Sequence, residues 1–252
     1  MIRVGAVADL HIGADSAGQI GPALADAARD VDVVLLAGDL TRCGSVDEAR
    51  LVARELRDVE APTFAVLGNH DHHADAAQAM CDVLEDAGVT VLEGASSTIE
   101  VRGTSLAIVG SKGFGGGFVG ACGSDFGEPE MKAFIRHTQS TAEQLDHALG
   151  AAVAERRVVL LHYSPIESTL RGERPEIYPF LGSYLLAEAI DRHGADLVVH
   201  GHAHAGTERG VTPGGTPVRN VALPVLRAPL AVYRLGDLPT ADRTDGHVMA
   251  GG

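Results

Sequence analysis

The chain has 252 residues, of which 45% are hydrophobic and 21% charged, a composition typical of soluble globular proteins. Its 34 acidic residues against 20 lysines and arginines give a formal net charge of −14, which disfavours sequence-independent binding to a nucleic-acid backbone. No apolar run approaches the roughly 20 residues that a bilayer span requires, and no export signal is visible, so we expect a cytoplasmic protein. The three cysteines are far apart in the sequence, so we expect them to be reduced thiols.

Short apolar runs alternate with helical patterns along the chain, and this order is typical of an α/β domain. Most of these runs are apolar without interruption, as expected for strands that are covered on both faces. The predicted strands are residues 2–8, 33–37, 63–67, 89–92, 98–101, 106–109, 158–161, 197–199, 216–223 and 230–235.

Helices are predicted in the intervals between these strands. Ser45 followed by Glu48 forms a capping box, and the helix that begins there has apolar residues at spacings of three and four. Further helices are predicted over residues 75–87, 129–153 and 183–193. Because the chain has no repeat and no interior linker, we expect one domain over residues 1–235 and a flexible tail over residues 236–252.

Two long segments interrupt the regular pattern, and both are candidates for a functional role. Residues 111–128 are rich in glycine and carry Lys112, Phe114 and Phe118. Residues 164–182 carry Arg171, Arg174, Tyr178 and Phe180. Long loops within a compact domain are usually functional or disordered, and their aromatic and arginine content favours function.

Residue types that bind metals follow one predicted strand after another. These are Asp9, His11, Asp39, Asn69, His70, Asp71, His162, His200, His202 and His204. The carboxyl ends of strands in an α/β sheet meet at one crevice, so these side chains are expected to converge. Imidazole, carboxylate and amide groups without thiolate suit Mn, Fe, Zn or Ni. Seven ligands are too many for one tetrahedral ion, whereas two metals that share a carboxylate would use them all.

The motifs Asp-x-His, Gly-Asp, Gly-Asn-His-Asp, a single His and Gly-His-x-His occur in this order over residues 9–204. In this the sequence resembles the calcineurin-like metallophosphoesterases, and the predicted strands and helices extend the resemblance over about residues 1–235. The resemblance implies a four-layer α/β/β/α sandwich, in which two mixed β-sheets are flanked by helices.

The resemblance also implies a binuclear metal site, with Mn²⁺ or Fe expected first and Zn²⁺ or Ni²⁺ as alternatives. Carried over residue by residue, the first metal ligands are Asp9, His11 and His204, the bridging ligand is Asp39, and the second metal ligands are Asn69, His162 and His202. A hydroxide between the two ions would attack phosphorus in line. His70 would protonate the leaving alkoxide as a general acid.

One position departs from the pattern of the family. Many members have an acid three residues after the bridging aspartate, where it orients the catalytic histidine, and this chain has Arg42 there. A guanidinium close to His70 would lower the imidazole pKa, whereas a carboxylate would raise it. Arg42 is therefore a candidate for gripping a substrate phosphate, and Asp71 is the first candidate for the orienting role.

Several other residues are candidate substrate contacts, each beside a simpler explanation as a solvated side chain. They are Arg171, Arg174, Lys112, His72 and His73. His200 is expected to pack behind the ligands or to support them. The glycines at 115–117 lack the strand–loop–helix context of a P-loop, so a lid or a spacer is the expectation for them.

The expected function is hydrolysis of a small phosphodiester or phosphomonoester, such as a nucleotide or cyclic nucleotide. The alternatives are a nuclease of the same fold, which would require a basic channel, and a metal-binding scaffold without catalysis, which would have an eroded ligand set. The expected partner is a small phosphorylated substrate, with no long nucleic acid and no membrane, and the oligomeric state is open.

Overall fold

Two β-sheets pack face to face in the structure, a computed structural model that describes residues 1–236. The strands are β1 (Ile2–Val7), β2 (Val33–Ala37), β3 (Thr63–Val66), β4 (Val89–Val91), β5 (Ala95–Val101), β6 (Thr104–Ser111), β7 (Gly117–Phe118), β8 (Ala121–Cys122), β9 (Arg156–Leu161), β10 (Leu197–His200), β11 (Arg209–Val211), β12 (Pro217–Asn220) and β13 (Ala231–Leu235). All but the first residue of the predicted tail, residues 237–252, lie outside the described part of the chain.

Both large sheets are mixed. The first has the order β13-β1-β2-β3-β4, in which β13 is antiparallel to β1 and the other pairs are parallel. The second has the order β11-β12-β10-β9-β6-β5, with antiparallel pairs at its two edges and parallel pairs between them. The short strands β7 and β8 form a separate hairpin.

Helices cover the outer face of each sheet. The α-helices of the described residues are α1 (Gly21–Ala28), α2 (Val46–Leu56), α3 (Ala77–Asp86), α4 (Pro129–Ala151), α5 (Tyr178–Leu181), α6 (Tyr184–His193) and α7 (Leu223–Leu226). Helices α1, α2 and α3 pack on the first sheet, and α4 and α6 pack on the second. The expected four-layer α/β/β/α arrangement of two mixed sheets is therefore confirmed.

Burial on both faces explains the uninterrupted apolar strands. In β9, Val158 and Leu160 face the core between the two sheets, whereas Val159 and Leu161 face helices α4 and α6. Strand β2 alternates in the same way between the sheet–sheet core and helices α1 to α3. Because successive side chains of a strand point to opposite faces, every residue of such a strand must be apolar.

The capping box is present, but helix α1 has no comparable signal in the sequence. The Ser45 hydroxyl accepts from the Glu48 amide, and the Glu48 carboxylate accepts from the Ser45 amide, at the start of α2. At the start of α1, the amides of Gly18, Ile20 and Gly21 donate instead to the carboxylate of Glu55 in α2. A residue more than thirty positions away thus replaces the local cap, so the sequence pattern did not predict this helix.

One further segment differs from the prediction. The strand predicted over residues 216–223 ends at Asn220, and Pro224 stands in the first turn of helix α7. Proline is favoured there because backbone amides in the first turn of a helix have no hydrogen-bond partner within the helix, so the amide hydrogen that proline lacks is not needed.

Among residues 1–236, none of the helices combines the length and apolar character that a membrane span requires.

We expect the core between the sheets to set the stability of the fold. Val158→Ala, at a side chain with 0% exposure, should reduce the free energy of unfolding by about 2 kcal/mol because two methyl groups are lost and a cavity remains. The same change at Val153, which is 87% exposed, is the matched control and should have almost no effect. Urea unfolding followed by circular dichroism measures both, and equal midpoints for the two variants would contradict this view of the core.

Candidate metal centre

The ends of five parallel strands from the two sheets bring the predicted ligands together. The loops after β1, β2 and β3 carry Asp9, Asp39 and Asn69, and those after β9 and β10 carry His162 and His202. Potential ligand atoms of one group lie within 4.8 Å of one another, and this group is Asp9, His11, Asp39 and His204. A second group with the same property is Asp39, His162 and His202. Asp39 belongs to both.

In the first group, two imidazoles face two carboxylates. His204 Nε2 lies 2.9 Å from Asp9 Oδ1 and 3.5 Å from His11 Nε2. His11 Nε2 in turn is 3.9 Å from one oxygen of Asp9 and 3.9 Å from Oδ2 of Asp39. Nitrogen and oxygen atoms that converge in this way form a donor set suited to a divalent cation.

In the second group, hydrogen bonds to backbone carbonyls fix which nitrogen of each imidazole is unprotonated. His162 Nδ1 donates to Ala37 O at 2.9 Å, so its Nε2 presents a lone pair. That Nε2 lies 3.4 Å from Asp39 Oδ1 and 3.0 Å from Asn69 Oδ1, so three acceptors face one another. His202 Nε2 donates to Phe180 O at 3.2 Å, which leaves Nδ1 free to act as a ligand. A cation accounts for this arrangement of acceptors.

Burial and hydrogen bonds shift the pKa values of three of the predicted ligands. Burial lowers the pKa of His202 to about 3, so its imidazole is neutral at pH 7. Burial alone would raise the pKa of Asp9, but the hydrogen bonds from the His204 ring and the His202 amide hold it below its ordinary value. The hydrogen bond to Asp9 raises the pKa of His204.

Four of the predicted ligands have a left-handed backbone conformation. The φ angles are 59° for Asp9, 45° for His11, 51° for Asp39 and 69° for His202. For residues other than glycine this conformation costs about 1–2 kcal/mol each. Strain of this kind persists where the surrounding structure holds it, and it is concentrated at functional sites.

Glycines of the motifs allow the chain to approach the ligands closely. A Cβ on Gly68 would overlap the carboxylate of Asp39, and one on Gly201 would overlap the carboxylate of Asp9. Gly38 has a φ of 84°, and a Cβ there would contact the His162 ring at 2.5 Å. Close approach therefore requires glycine at all three positions, and the turn at Gly38 requires it as well.

The structure differs from the sequence expectation in the residue that orients His70. The fully buried carboxylate of Asp71 accepts from the amides of Leu40, Thr41 and Gly68 and from the Thr41 hydroxyl, and not from the His70 ring. His70 Nδ1 lies 2.8 Å from the backbone carbonyl of Arg42, to which it donates. Burial, opposed by the hydrogen bonds from Thr41 and Gly68, raises the pKa of Asp71.

The side chain of Arg42 also lies elsewhere than expected. Its guanidinium is 2.7 Å from the carboxylate of Asp15, and both groups are exposed. The position where many family members have an orienting acid therefore acts through its main chain, because a carbonyl accepts a hydrogen bond whatever side chain the residue carries. His70 itself is exposed, its amide donates to Asp39 Oδ1 at 2.8 Å, and its ring centroid is 4.5 Å from that of His11.

Two of the candidate substrate contacts lie beside the cluster. Burial lowers the pKa of Lys112, and the carboxylates of Glu93 and Asp39 oppose this shift. Burial also lowers the pKa of His72, with a contribution from the nearby charge of Lys112 that the carboxylate of Asp39 opposes. Both side chains are thus within electrostatic range of the predicted ligands.

The other candidates lie apart from the cluster. Arg171, Arg174 and His73 are exposed, and within residues 1–236 none of their side chains makes a hydrogen bond or ion pair with a predicted ligand. His200 is fully buried, its Nε2 lies 2.9 Å from the Thr169 hydroxyl, and burial lowers its pKa to about 4. It is therefore a neutral imidazole with hydrogen-bond partners in Ser164, Thr169 and the backbone of Gly201.

Two residues that contact the ligands had not been selected from the sequence for that role. Phe180 accepts the His202 hydrogen bond through its backbone carbonyl, a contact that leaves no signature in the residue type. Tyr163 is buried, and its ring centroid lies 4.4 Å from that of His202. The feature of the sequence that could have identified Tyr163 is its position directly after His162. Burial, with the charge of Asp39, raises the pKa of the Tyr163 hydroxyl to about 12.

A cavity of about 720 Å³ lies between helix α6 and the segments 165–168 and 211–213. None of the predicted ligands lines it. The chemistry of the predicted ligand set therefore belongs to the strand ends and not to this cavity.

The comparisons with known proteins agree with this geometry. The model of the calcineurin-like phosphoesterase family matches residues 2–206. A phosphopantetheinyl hydrolase from Mycobacterium tuberculosis is 18% identical, with a TM-score of 0.64 over 91% of this chain and 95% of that chain. The protein TT1561 of Thermus thermophilus is 17% identical, with a TM-score of 0.56 over 93% of this chain and 99% of that chain.

A third structure is a putative 5'-nucleotidase from Staphylococcus aureus, which is 17% identical with a TM-score of 0.53. The alignment covers 87% of this chain and 48% of that longer one. At these identities the likeness establishes the fold. The comparison with curated proteins returned no match.

The backbone strain at His11 is open to a direct test. In the presence of a chelator, His11→Gly should be about 1 kcal/mol more stable to unfolding than His11→Ala, because only glycine adopts a φ of 45° without strain. His147, exposed in helix α4, is the control position. There the order should reverse, with alanine more stable by about 1 kcal/mol. Urea unfolding measures both pairs, and the same order at the two positions would refute the strain.

Proposed function

Because the chain belongs to the calcineurin-like phosphoesterase family, and is thus a metallophosphoesterase that hydrolyses phosphoric esters, we propose that its substrate is a small phosphodiester or phosphomonoester such as a nucleotide or cyclic nucleotide. The observation that supports a catalytic site most strongly is that Asp39 is shared by two groups of potential ligands. A scaffold without catalysis would not be expected to retain both groups together with His70.

In this proposal Asp39 would be the ligand common to two metal ions, with Mn²⁺ or Fe expected first. Asp9, His11 and His204 would complete one ligand set, and Asn69, His162 and His202 the other. When bound, such a pair of ions supplies an activated water and neutralises the charge on the phosphoryl oxygens. The protein contributes fixed imidazole tautomers, since His162 and His202 each donate one nitrogen to a backbone carbonyl.

His70 is proposed as the general acid that protonates the leaving oxygen. Its Nδ1 is engaged with Arg42 O, so Nε2 is the nitrogen that remains to give a proton. Its ring stands against His11 at the exposed side of the cluster, where a leaving group can reach it. The hydrogen bond to a neutral carbonyl orients the ring without adding a negative charge beside it.

The net charge of −14 supports a short substrate over a long polyanion. One structural neighbour, the putative 5'-nucleotidase, has a name that denotes a nucleotide substrate and is compatible with this choice. A nuclease of the same fold is the alternative, and we do not favour it because it would need a basic surface.

We predict that the protein with Mn²⁺ hydrolyses p-nitrophenyl phosphate or bis-p-nitrophenyl phosphate and that Asp39→Ala abolishes this activity. The variant should also lose bound metal in elemental analysis, because both ligand groups lose their shared member. Asp47→Ala, at an exposed aspartate in the first turn of α2, is the control and should retain both. If the protein shows no turnover with Mn²⁺, Fe²⁺, Zn²⁺ or Ni²⁺ and contains no bound metal, the proposal is contradicted.

The role of His70 predicts a dependence on the leaving group. His70→Ala should lower kcat by about 10²–10⁴ for an alkyl phosphoester, whose alkoxide needs a proton to leave. It should lower kcat much less for p-nitrophenyl phosphate, whose phenolate leaves without one. His147→Ala should change neither rate. An equal loss on both substrates would assign His70 a role other than proton donation.

A further inference from the structure

The aromatic residues of this chain are concentrated beside the metal centre. The chain has six phenylalanines, four tyrosines and no tryptophan, and all of them except Phe64 and Tyr233 lie between residues 114 and 184. The cores between the sheets and under the helices are built almost entirely from alanine, valine, leucine and isoleucine. Packing accounts for some of these rings, since Phe118, Tyr178 and Tyr184 belong to a small hydrophobic cluster. It does not account for Phe180, which is 60% exposed.

Three of these rings, Phe114, Phe134 and Phe180, form a row that we call the aromatic row. The ring centroids of Phe114 and Phe134 are 5.1 Å apart, and those of Phe134 and Phe180 are 6.3 Å apart. The row begins at Lys112, whose Nζ lies 5.2 Å from the Phe114 centroid and which also interacts electrostatically with Asp39. The row thus runs from an ammonium group near the Asp39 carboxylate to Phe180, whose backbone carbonyl contacts the predicted ligand His202.

The outer end of the row is an exposed ring on a fixed backbone. The Phe180 side chain is 60% exposed, although its own carbonyl accepts the hydrogen bond from His202. The neighbouring carbonyls of Pro179 and Gly182 accept from the amides of Gly116 and Gly117 at 2.7 and 3.0 Å. Side chains on these glycines are excluded, because a Cβ on Gly116 would contact Thr138 at 2.6 Å and one on Gly117 would overlap Ala121. The glycine-rich segment therefore clamps the segment that presents Phe180.

We propose that the aromatic row is a subsite that stacks a nucleobase of the substrate, while its phosphate lies at the metal centre. An exposed phenyl ring held on a rigid backbone presents a π-face without an ordering cost, which is how proteins stack bases. Lys112, between the ligands and the row, faces the anionic part of the same molecule. This inference rests on the proposed function and deepens it, because it selects nucleotides among small phosphoesters.

The test compares two substrates that differ only in the base. Adenosine 5'-monophosphate and ribose 5-phosphate have the same phosphate and sugar, so the ratio of their kcat/KM values isolates the base. The protein should prefer adenosine 5'-monophosphate by about tenfold or more. Phe180→Ala should raise KM for this substrate about tenfold and remove most of the preference, and Phe180→Trp should keep it. Phe126→Ala, at a ring that is 81% exposed outside the row, is the control and should keep it as well.

A binding measurement separates this inference from the proposed function. Saturation-transfer NMR with free adenosine should show contact of the base protons with the protein, which Phe180→Ala should remove and Phe126→Ala should retain, and free ribose should show none. If p-nitrophenyl phosphate is hydrolysed but adenosine does not bind and the two phosphates react equally, the subsite is refuted and the hydrolase stands. If adenosine binds through Phe180 but no phosphoester is hydrolysed, the proposed function fails and the subsite stands.

Discussion

The sharing of one buried carboxylate by two groups of ligands is the constraint on which the rest of the structure depends. Asp39 is 1% exposed and Asp9 is 2% exposed, and a buried carboxylate is costly unless a cation or hydrogen bonds compensate it. Strand ends from two different sheets must meet for Asp39 to face His11 on one side and His162 on the other. The sandwich brings them together, because its parallel strands end at the same edge of both sheets.

The loops that carry these ligands are held as one unit. The carboxylate of Asp71 takes amide hydrogen bonds from the loop after β2 and from the loop after β3, and so ties Asp39 and Asn69 to a common anchor. Gly68 lets these two loops touch at the Asp39 carboxylate. These contacts explain how the left-handed backbone conformation at Asp39 persists, since a loop without them would relax to an unstrained conformation.

The sequence was sufficient to predict those features of the fold and the site that depend on side chains. Motif order predicted which residues would converge, and unbroken apolar runs predicted strands buried on both faces. The sequence was insufficient to predict contacts made by main-chain atoms. The backbone carbonyl of Arg42 orients His70 and that of Phe180 orients His202, and neither contact depends on the side chain of the residue that carries the carbonyl. An arginine at a position that many relatives fill with an acid therefore did not indicate its actual contact. Helix α1 was missed for a related reason, since its cap comes from Glu55, which is distant in sequence.

An acidic protein can bind a small anionic substrate because the charges at the site act on the substrate at short range, whereas the charges of the remaining surface lie farther away. At physiological ionic strength, electrostatic interactions between exposed charges are largely screened beyond about 8 Å. A small phosphoester at the strand ends would therefore respond to the bound metals and to Lys112, and little to the rest of the acidic surface. A long nucleic acid would extend over that surface and be repelled along its whole length. The net charge of −14 is thus compatible with the small substrate that we propose, and it places no constraint on the phosphate chemistry.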